Sequence, residues 1–590
     1  MEMKHLDVST IHGAFLTACE AIIINRENLN AINLFPVADG DTGDNMSSTA
    51  LAIITHSCSK SSLKETLQSL AHSALLGARG NSGMIFSQFF NGLTEAEVSA
   101  EKIDPPTFAQ LISKASASVR SSILNPVEGT IITVIDAWSA SINKLVKEFN
   151  CFKKMLSATL SEVALALQST AITLPVLKDA KVVDSGALGF YHFINGFVDY
   201  LNNPREINKE HLQVGQTETL HEPPSNGIQP TQRYCTEILL SGNDLNRTDI
   251  AKNLEQFGDS VVSSGNSTLC RVHVHCKQPS LVFEALMKKG TITQAKAEDM
   301  LRQFQIIHQA KYPIALVTDS SADIPQSILD HYQIHIIQLN MHLDEHHLID
   351  RICVNQETFY NNLPKLKSYP KTSFPSPALI KTQISHLAKH YQEVLVLPIA
   401  QSLSGTHDAI VKASEGMKNV HVINSRLTSV GLGFLVSHAA QLIDSGLDIN
   451  NIKQQLLRKI PNINVYVYVD QFESLIRSGR ISRLSGKIAQ FANLKPIITL
   501  DELGKAVVFD KAFSELKAWD KIIQHAKTRR PDGAIDNYAL VHAGVPDKIQ
   551  QFAKLTSESF NKEPLFIEHV STALGLHAGK GGIGLAVMLE

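Results

Sequence analysis

Three aspartates and two glycines fall within the six consecutive positions 39 to 44 of the run NLFPVADGDTGDNM, residues 33–46. Carboxylates as close in sequence as Asp39, Asp41 and Asp44 disfavour one another's charge unless something positive sits among them. A divalent cation is the natural candidate. A calcium loop of the EF-hand type fails on spacing: counted from Asp39, position 5 is Gly43, position 6 is Asp44 and position 12 is Ala50, where that loop wants an oxygen ligand, a glycine and a glutamate. An acidic surface turn is the plain alternative, since Asp and Gly are ordinary turn residues. The following NMSSTALAIITH reads as a helix starting near Asp44 or Asn45, with free amides pointing at whatever the aspartates hold. Mg²⁺ held by a carboxylate pair beside a helix N-terminus suits a nucleotide polyphosphate.

A second group has metal-ligand spacing. In RVHVHC, His273 and His275 stand two apart on a predicted strand, so both face one side while Cys276 faces the other. They are either two ordinary polar residues or part of a metal site. A metal needs a third ligand, which Cys235 of the strand-like YCTEILL can supply as thiolate.

A third group lies on loops that follow predicted strands: TDSSADIP, QSLSGTHDAI with Ser402, Ser404 and Thr406, and INSRLTSVGLGF. Helix capping explains any one of them. Hydroxyls and helix N-termini on one edge of a parallel sheet also suit a carboxylate or phosphate head group.

These groups need elements to position them. Residues 9 to about 200 read as helical: Ile11, Phe15, Cys19 and Ile22 recur at helical spacing, as do Leu156, Leu160, Val163 and Leu167. From about 203 to 232 the pattern gives way to a polar, proline-containing linker. Residues 233 to about 308 read as a small α+β unit, with a helix opened near Asn246 or Thr248 and another, PSLVFEALMKKG, stopped by Gly290. After Pro313, strand–helix alternation predicts βαβ units and a parallel sheet.

At 590 residues with 44% hydrophobic and 19% charged residues, the chain has room for several cores. A net charge of −3 gives no electrostatic footprint for nucleic acid. Seven scattered cysteines without a C-x-x-C argue for reduced thiols in a cytoplasmic protein. The N-terminus lacks a signal-peptide pattern, and no uninterrupted apolar run approaches the roughly 18 residues of a membrane span.

The run FPVADGDTGDNM, followed in order by GARGNSG at 77–83, PVEGT at 126–130 and LPVLKDAKVVDSGALGF at 174–190, resembles the dihydroxyacetone-kinase L-subunit domain (the DhaL-like or DAK2 type). More specifically, it resembles the version of that domain in the ATP-binding subunit of bacterial fatty acid kinase. The resemblance implies an all-α antiparallel helical barrel binding ATP through Mg²⁺. Carried over by residue, Asp39 and Asp41 become magnesium ligands, with Asn33 a candidate third, and Thr42 and Asn45 lie at the phosphates. Gly80, Asn81, Ser82 and Gly83 form a loop over the nucleotide, with Thr130 nearby. Asp44 stands where the family more often has Thr, as a further metal ligand or as a source of repulsion. YCTE and VHVH are similar to the zinc-binding middle domain of the same kinase component, which implies structural or dimer-forming Zn²⁺ on Cys235, His273 and His275.

IALVTDSSADIP, KTSFPSPALI, LSGTHDAI, SRLTSVGLGFLV, LIRSGRISR, LKPIITLDELGK and GLHAGKGGIGL resemble the DegV family. Its members include the fatty-acid-binding subunit of fatty acid kinase. This implies a two-lobed α/β domain holding an acyl chain. Thr372, Ser373 and Ser404 are placed at the carboxylate and His577 close to the transferable phosphate. The usual threonine after that His is Ala578, and Lys580 replaces a common proline; it either assists phosphate charge or is a solvated loop residue. Arg477, Arg480 and Arg483 form a basic run that is either a solvated face or a receiver of the kinase module or the phosphate.

The expected division is 1–205 kinase domain, 206–232 linker, 233–310 zinc-binding middle domain and 311–590 fatty-acid-binding domain. The resulting expectation is an ATP-dependent fatty acid kinase forming acyl-phosphate, dimeric, cytoplasmic, with transient membrane contact and no nucleic-acid partner. A dihydroxyacetone-type small-molecule kinase and a non-catalytic lipid-binding regulatory protein are the rivals. Asp44 and Ala578 keep the second of these open.

Overall fold

A computed structural model describes residues 3–35, 40–98, 101–207, 229–470, 494–529 and 535–589. The chain divides into two compact units, Met1–Phe304 and Gln305–Glu590.

Unit 1 begins with helices α1 (Val8–Ile24), α2 (Arg26–Ala31), α3 (Thr42–His56), α4 (Leu63–Gly77) and α5 (Gly80–Leu93). It continues with α6 (Pro105–Ser122), α7 (Ile131–Leu145), α8 (Phe152–Thr173), α9 (Pro175–Ala180) and α10 (Ser185–Asn202). A two-stranded ribbon, β1 (Leu6–Asp7) with β2 (Lys102–Ile103), links the start of α1 to the start of α6. Side chains stop and start the helices: Asp7 accepts from the Thr10 amide at 2.8 Å, and Asp104 caps α6 just before Pro105. Ile11, Phe15, Cys19 and Ile22 are all buried on α1, as their spacing requires. The core is aromatic: Phe86 meets Phe193 edge-on at 5.1 Å, and Trp138 is fully buried against Phe190. Each such ring contributes about 1.5–3 kcal/mol by burial alone. Among the described residues, α8 is the one helix long and apolar enough to cross a membrane, though interrupted by polar residues. Here it packs on α7 and α10.

The small α+β part of unit 1 comprises β3 (Tyr234–Ser241), α11 (Arg247–Leu254), β4 (Gly258–Gly265), β5 (Leu269–Cys276), α12 (Pro279–Met287) and β6 (Thr291–Asp299). The helix Met300–His308 follows. The four strands form an antiparallel sheet in the order β4-β5-β3-β6. The Asn246 side chain accepts from the Thr248 and Asp249 amides and starts α11. This sheet lies against the helices. Arg271 donates to the Leu75 and Leu76 carbonyls that end α4, and the Gly265 amide donates to Gln88 at 2.9 Å.

Unit 2 holds a parallel sheet in the order β13-β12-β7-β8, from β7 (Ile314–Asp319), β8 (His335–Ile337), β12 (Glu393–Leu397) and β13 (Val420–Val422). An antiparallel sheet, β10-β9-β11, uses β9 (Asn340–Leu343), β10 (His346–Ile349) and β11 (Lys371–Ser373). The third sheet departs from the parallel expectation. It runs β16-β15-β14-β19-β17-β18, from β14 (Ile463–Tyr468), β15 (Lys495–Leu500), β16 (Ala506–Ala512), β17 (Asn537–His542), β18 (Ile567–His569) and β19 (Ile583–Met588). Only β17 and β18 pair in parallel. The reason is local. β15 and β16 are joined by a tight turn in which Asp501 accepts from the Leu503 and Lys505 amides and Gly504 takes φ +80°. A turn this short can only join antiparallel strands. Buried carboxylates fasten this unit internally: Asp323 accepts from Ser429 at 2.6 Å and from the Ser571 amide at 2.7 Å, and Asp350 accepts from Ser320 at 2.7 Å and the Ala573 amide at 2.9 Å.

Candidate functional site

The aspartate run ends in the first turn of α3, which begins at Thr42, ahead of the Asp44 or Asn45 start that the sequence pattern suggests. Asp41 is the N-cap, buried, and its carbonyl accepts from the Asn45 amide at 2.8 Å. Asp39 lies outside the described residues. Thr42 donates to Asn33, and both are buried. Thr42 and Ser82 bring their hydroxyl oxygens within 3.4 Å. Gly43 is required where it stands, because a Cβ there would meet the Arg26 carbonyl at 2.1 Å. Asp44 turns away from this cluster. Its carboxylate accepts from Asn30 at 3.0 Å and lies 3.5 Å from the Arg26 guanidinium, and its amide donates to Asn30 at 3.1 Å. The structure therefore places Asp44 as a tie between α2 and α3.

Gly80–Gly83 is not a loop: it is the first turn of α5. Gly80 takes φ +53°, and a Cβ on it would meet Asn45 Nδ2 at 2.1 Å. Its amide is already used, donating to the Glu237 carboxylate at 2.6 Å. A Cβ on Gly83 would meet the Asn45 carbonyl at 2.7 Å, so the first turns of α3 and α5 are in close contact.

Beside this contact lies a cavity of about 370 Å³ lined by Asn81, Ser82, Thr130, Asp184 and, from β4, Val261 and Val262. The size suits a small-molecule ligand. Thr130 is the N-cap of α7, its hydroxyl donating to the Val127 carbonyl. Asn81 Oδ1 is buried and accepts no hydrogen bond from the described residues, which leaves it for a donor on a ligand. Asp184 caps α10 by accepting from the Ala187 amide at 2.8 Å, and burial pushes its carboxyl up to about 7. Sequence reasoning passed over Asp184 inside DSGALGF; an acidic residue just before a small-residue helix start was the available signal.

Cys235, His273 and His275 meet: their ligand atoms all lie within 4.8 Å of one another. β3 and β5 place them in register, Cys235 opposite His275 and Glu237 opposite His273. Cys235 Sγ is 3.9 Å from His273 Nδ1, and Glu237 is 3.5 Å from the same atom. Burial opposes charge on His273, but the Cys235 thiolate and the Glu237 carboxylate outweigh it and push the imidazole up to about 10. Burial likewise opposes charge on Glu237, yet His273, Lys296 and Arg271 hold it well below the usual carboxylate range. A soft thiolate with two imidazoles is the donor set zinc prefers, and three ligands at this spacing fit a tetrahedral ion with one open position.

In unit 2 a slot of about 120 Å³ with an almost wholly apolar lining runs among Leu403, Val467, Ile498, Val541, Leu574 and His577. His577 and Ala578 end the helix Thr572–Ala578. Thr428 Oγ1 is buried there with no hydrogen-bond partner among the described residues. Of the expected head-group residues, Ser404 shares a 2.8 Å hydrogen bond with Thr406 next to Leu403. Thr372 and Ser373 lie on β11 and do not line the slot. They come near the Ser404 turn through Phe374, whose ring a Cβ on Gly405 would meet at 3.0 Å. Lys580 donates to Asn361 at 2.8 Å. Arg477, Arg480 and Arg483 lie outside the described residues.

Three family models match the chain in order: the DAK2 domain over residues 36–199, the middle domain of FakA-like fatty acid kinase proteins over 231–307, and the DegV family over 313–590. The chain thus carries all three domains in one polypeptide. An uncharacterized protein of Staphylococcus saprophyticus is 32% identical over 321 residues, covering 50% of this chain and 56% of that one. Protein YloV of Bacillus subtilis is 28% identical over 356 residues, 56% of this chain and 64% of its own length. The chain therefore spans somewhat over half the length of these two relatives. The crystal structure of DegV, a fatty acid binding protein from Bacillus subtilis, aligns with TM-score 0.44 and 26% identity over 48% of this chain and 100% of that one.

Proposed function

We propose that the chain is an ATP-dependent fatty acid kinase that phosphorylates the carboxyl group of an acyl chain held in its DegV-family domain. The observation that carries this reading is the pairing, in one polypeptide, of a DAK2 and FakA-like region enclosing a polar-rimmed cavity with a domain enclosing an apolar slot.

ATP would occupy the cavity beside α3 and α5, with Asn81 accepting from the nucleotide, Ser82 and Thr42 at the phosphates, and the α3 amides facing their charge. Asp39 and Asp41 would hold Mg²⁺, which when bound neutralises phosphate oxygens; Asp44 is already engaged with Arg26 and Asn30 and serves the loop. Asn33 orients Thr42, and Asn45 packs the two helix starts together. Cys235, His273 and His275 would hold a structural Zn²⁺.

In the reaction a carboxylate oxygen of the fatty acid forms a bond to the γ-phosphorus while the bond from that phosphorus to the β,γ-bridging oxygen breaks. ADP leaves and acyl-phosphate remains. The nucleophile is already ionised at neutral pH, so the chain supplies no base. Its work is positioning and charge neutralisation: Thr428 in the slot and Ser404 next to Leu403 would offer hydroxyls to the carboxylate, and His577 would serve the transferred phosphate. The seven cysteines, none of them in a disulfide, suit a reducing, cytoplasmic compartment.

The test is incubation of the full chain with γ-labelled ATP, Mg²⁺ and a long-chain fatty acid, trapping the product with hydroxylamine. Fatty-acid-dependent hydroxamate with matching ADP is expected. ATP turnover with dihydroxyacetone but not with fatty acid, or no turnover with either, would overturn the reading.

A further inference from the structure

We infer that Glu237 is a positioning residue that couples the Cys235–His273–His275 cluster to the nucleotide cavity. It rests on the nucleotide reading above.

The argument begins with register. Glu237 follows Cys235 by two residues on β3 and so shares its face, and the β3–β5 pairing sets it directly opposite His273. Its side chain is 2% exposed. The same oxygen lies 3.5 Å from His273 Nδ1 and accepts from the Gly80 amide at 2.6 Å, 157 positions away in sequence. One carboxylate oxygen therefore touches a metal-ligand candidate on one side and the first residue of α5 on the other.

Gly80 has little freedom to respond on its own. Its φ of +53° and the 2.1 Å approach of Asn45 to its missing Cβ lock it between α3 and the sheet. The next two residues, Asn81 and Ser82, are the polar ones α5 sends into the cavity, ahead of Ile85. A carboxylate at a helix start is also favoured by the helix dipole. Removing it would leave a buried amide without an acceptor and free the turn that presents Asn81 and Ser82. A cation held among Cys235, His273 and His275 would attract the Glu237 carboxylate beside it, and Glu237 fixes that turn. Binding at the two sites is then linked, and linkage of this kind is reciprocal.

The experiment uses the full chain, titrated with a non-hydrolysable ATP analogue and Mg²⁺ by calorimetry, with zinc content measured in parallel. Glu237→Ala should weaken analogue binding by about tenfold, a typical coupling, and raise the KM for ATP more than it lowers kcat. Glu237→Gln keeps an acceptor for the Gly80 amide and should bind the analogue within about threefold of wild type, which a loss of charge at an acceptor bond permits. Restoring Zn²⁺ to wild-type protein stripped by a zinc-selective chelator should tighten analogue binding, and should do so less in Glu237→Gln. If Glu237→Ala does not fold, Glu237→Asp, which withdraws the acceptor by one methylene, should fall between wild type and the expected tenfold loss. Wild-type affinity in Glu237→Ala or Glu237→Asp, equal losses in the Ala and Gln variants, or no response to zinc would overturn the inference. Wild type that fails to bind the analogue at all would instead overturn the nucleotide reading.

Discussion

The hydroxyl oxygens of Thr42 and Ser82 lie 3.4 Å apart although the residues are 40 positions apart in the chain. This contact joins the aspartate run to GARGNSG, and it sets the start of α3 against Ser82, which lines the cavity. Ser82→Ala should weaken Mg·ATP binding by roughly fivefold, the worth of one hydrogen bond of about 1 kcal/mol. Asp41→Asn should cost more, at least about tenfold, because a charge facing the cation is lost. Calorimetric titration of each variant checks this; wild-type affinity in both would remove the nucleotide from this site.

Asp44 gives the converse case. Its carboxylate is committed to Arg26 and Asn30, so Asp44→Asn should leave Mg·ATP affinity within about twofold of wild type. It should lower stability by only about 0.5–1 kcal/mol, as for a partly exposed ion pair. A large affinity loss without a change in denaturation midpoint would make Asp44 a metal ligand after all.

Much of this was legible in the sequence. The helical region and the strands bearing Cys235, His273 and His275 follow from periodicity, alternation and turn chemistry, which are local, while the ordered motifs speak through a family resemblance. What was not legible depended on partners far away in the chain. TITQAKAED does not read as a strand, since Gln, Lys, Ala and Glu are poor strand formers, yet it is β6 because β3 offers it an edge. GNSG reads as a loop by its glycines, but Asn45 and Glu237 make it a helix start. Thr372 and Ser373 match their motif, but β11 is anchored on β9 and not on the slot.

Asp184 makes a pH prediction. Its folded carboxyl is raised by burial from an ordinary 3.8 to about 7. Between those values the folded chain binds more protons than the unfolded one, so this group's contribution to stability is present at low pH and lost as pH rises through about 7. Asn cannot ionise but can still accept from the Ala187 amide. Asp184→Asn should therefore gain stability relative to wild type as pH rises from about 4 to about 7, by up to about 1.4 kcal/mol per pH unit, then level off. Denaturant midpoints of both proteins at several pH values across this range check it. A pH-independent difference would mean that Asp184 titrates normally.

Cys235, His273 and His275 should hold one zinc per chain, and Cys235→Ser should lower its content well below one, since a thiolate is replaced by a weakly binding hydroxyl. Elemental analysis of the purified proteins decides it. Zinc absent from wild type, or undiminished in the variant, would leave the cluster as a buried charge network around Glu237.

The slot in unit 2 can be blocked without touching the groups placed at its head. Ala506 begins β16 and lines the slot while remaining partly exposed, so an indole there can lean into the apolar space with modest strain in the surrounding sheet. Overpacking of this kind typically costs about 1–3 kcal/mol. Ala506→Trp should stay folded and keep its Mg·ATP affinity, because the cavity in unit 1 is lined by other residues. It should lose most of the fatty acid that wild type retains through purification, read by mass spectrometry of the extracted lipid. His577→Ala should behave oppositely, keeping bound lipid while slowing acyl-phosphate formation, because His577 is one polar residue of an otherwise apolar lining and the apolar walls do the holding. Wild type that carries no lipid and takes up none when it is added would sink the acyl-slot assignment. Lipid undiminished in Ala506→Trp would move the acyl chain elsewhere in the domain.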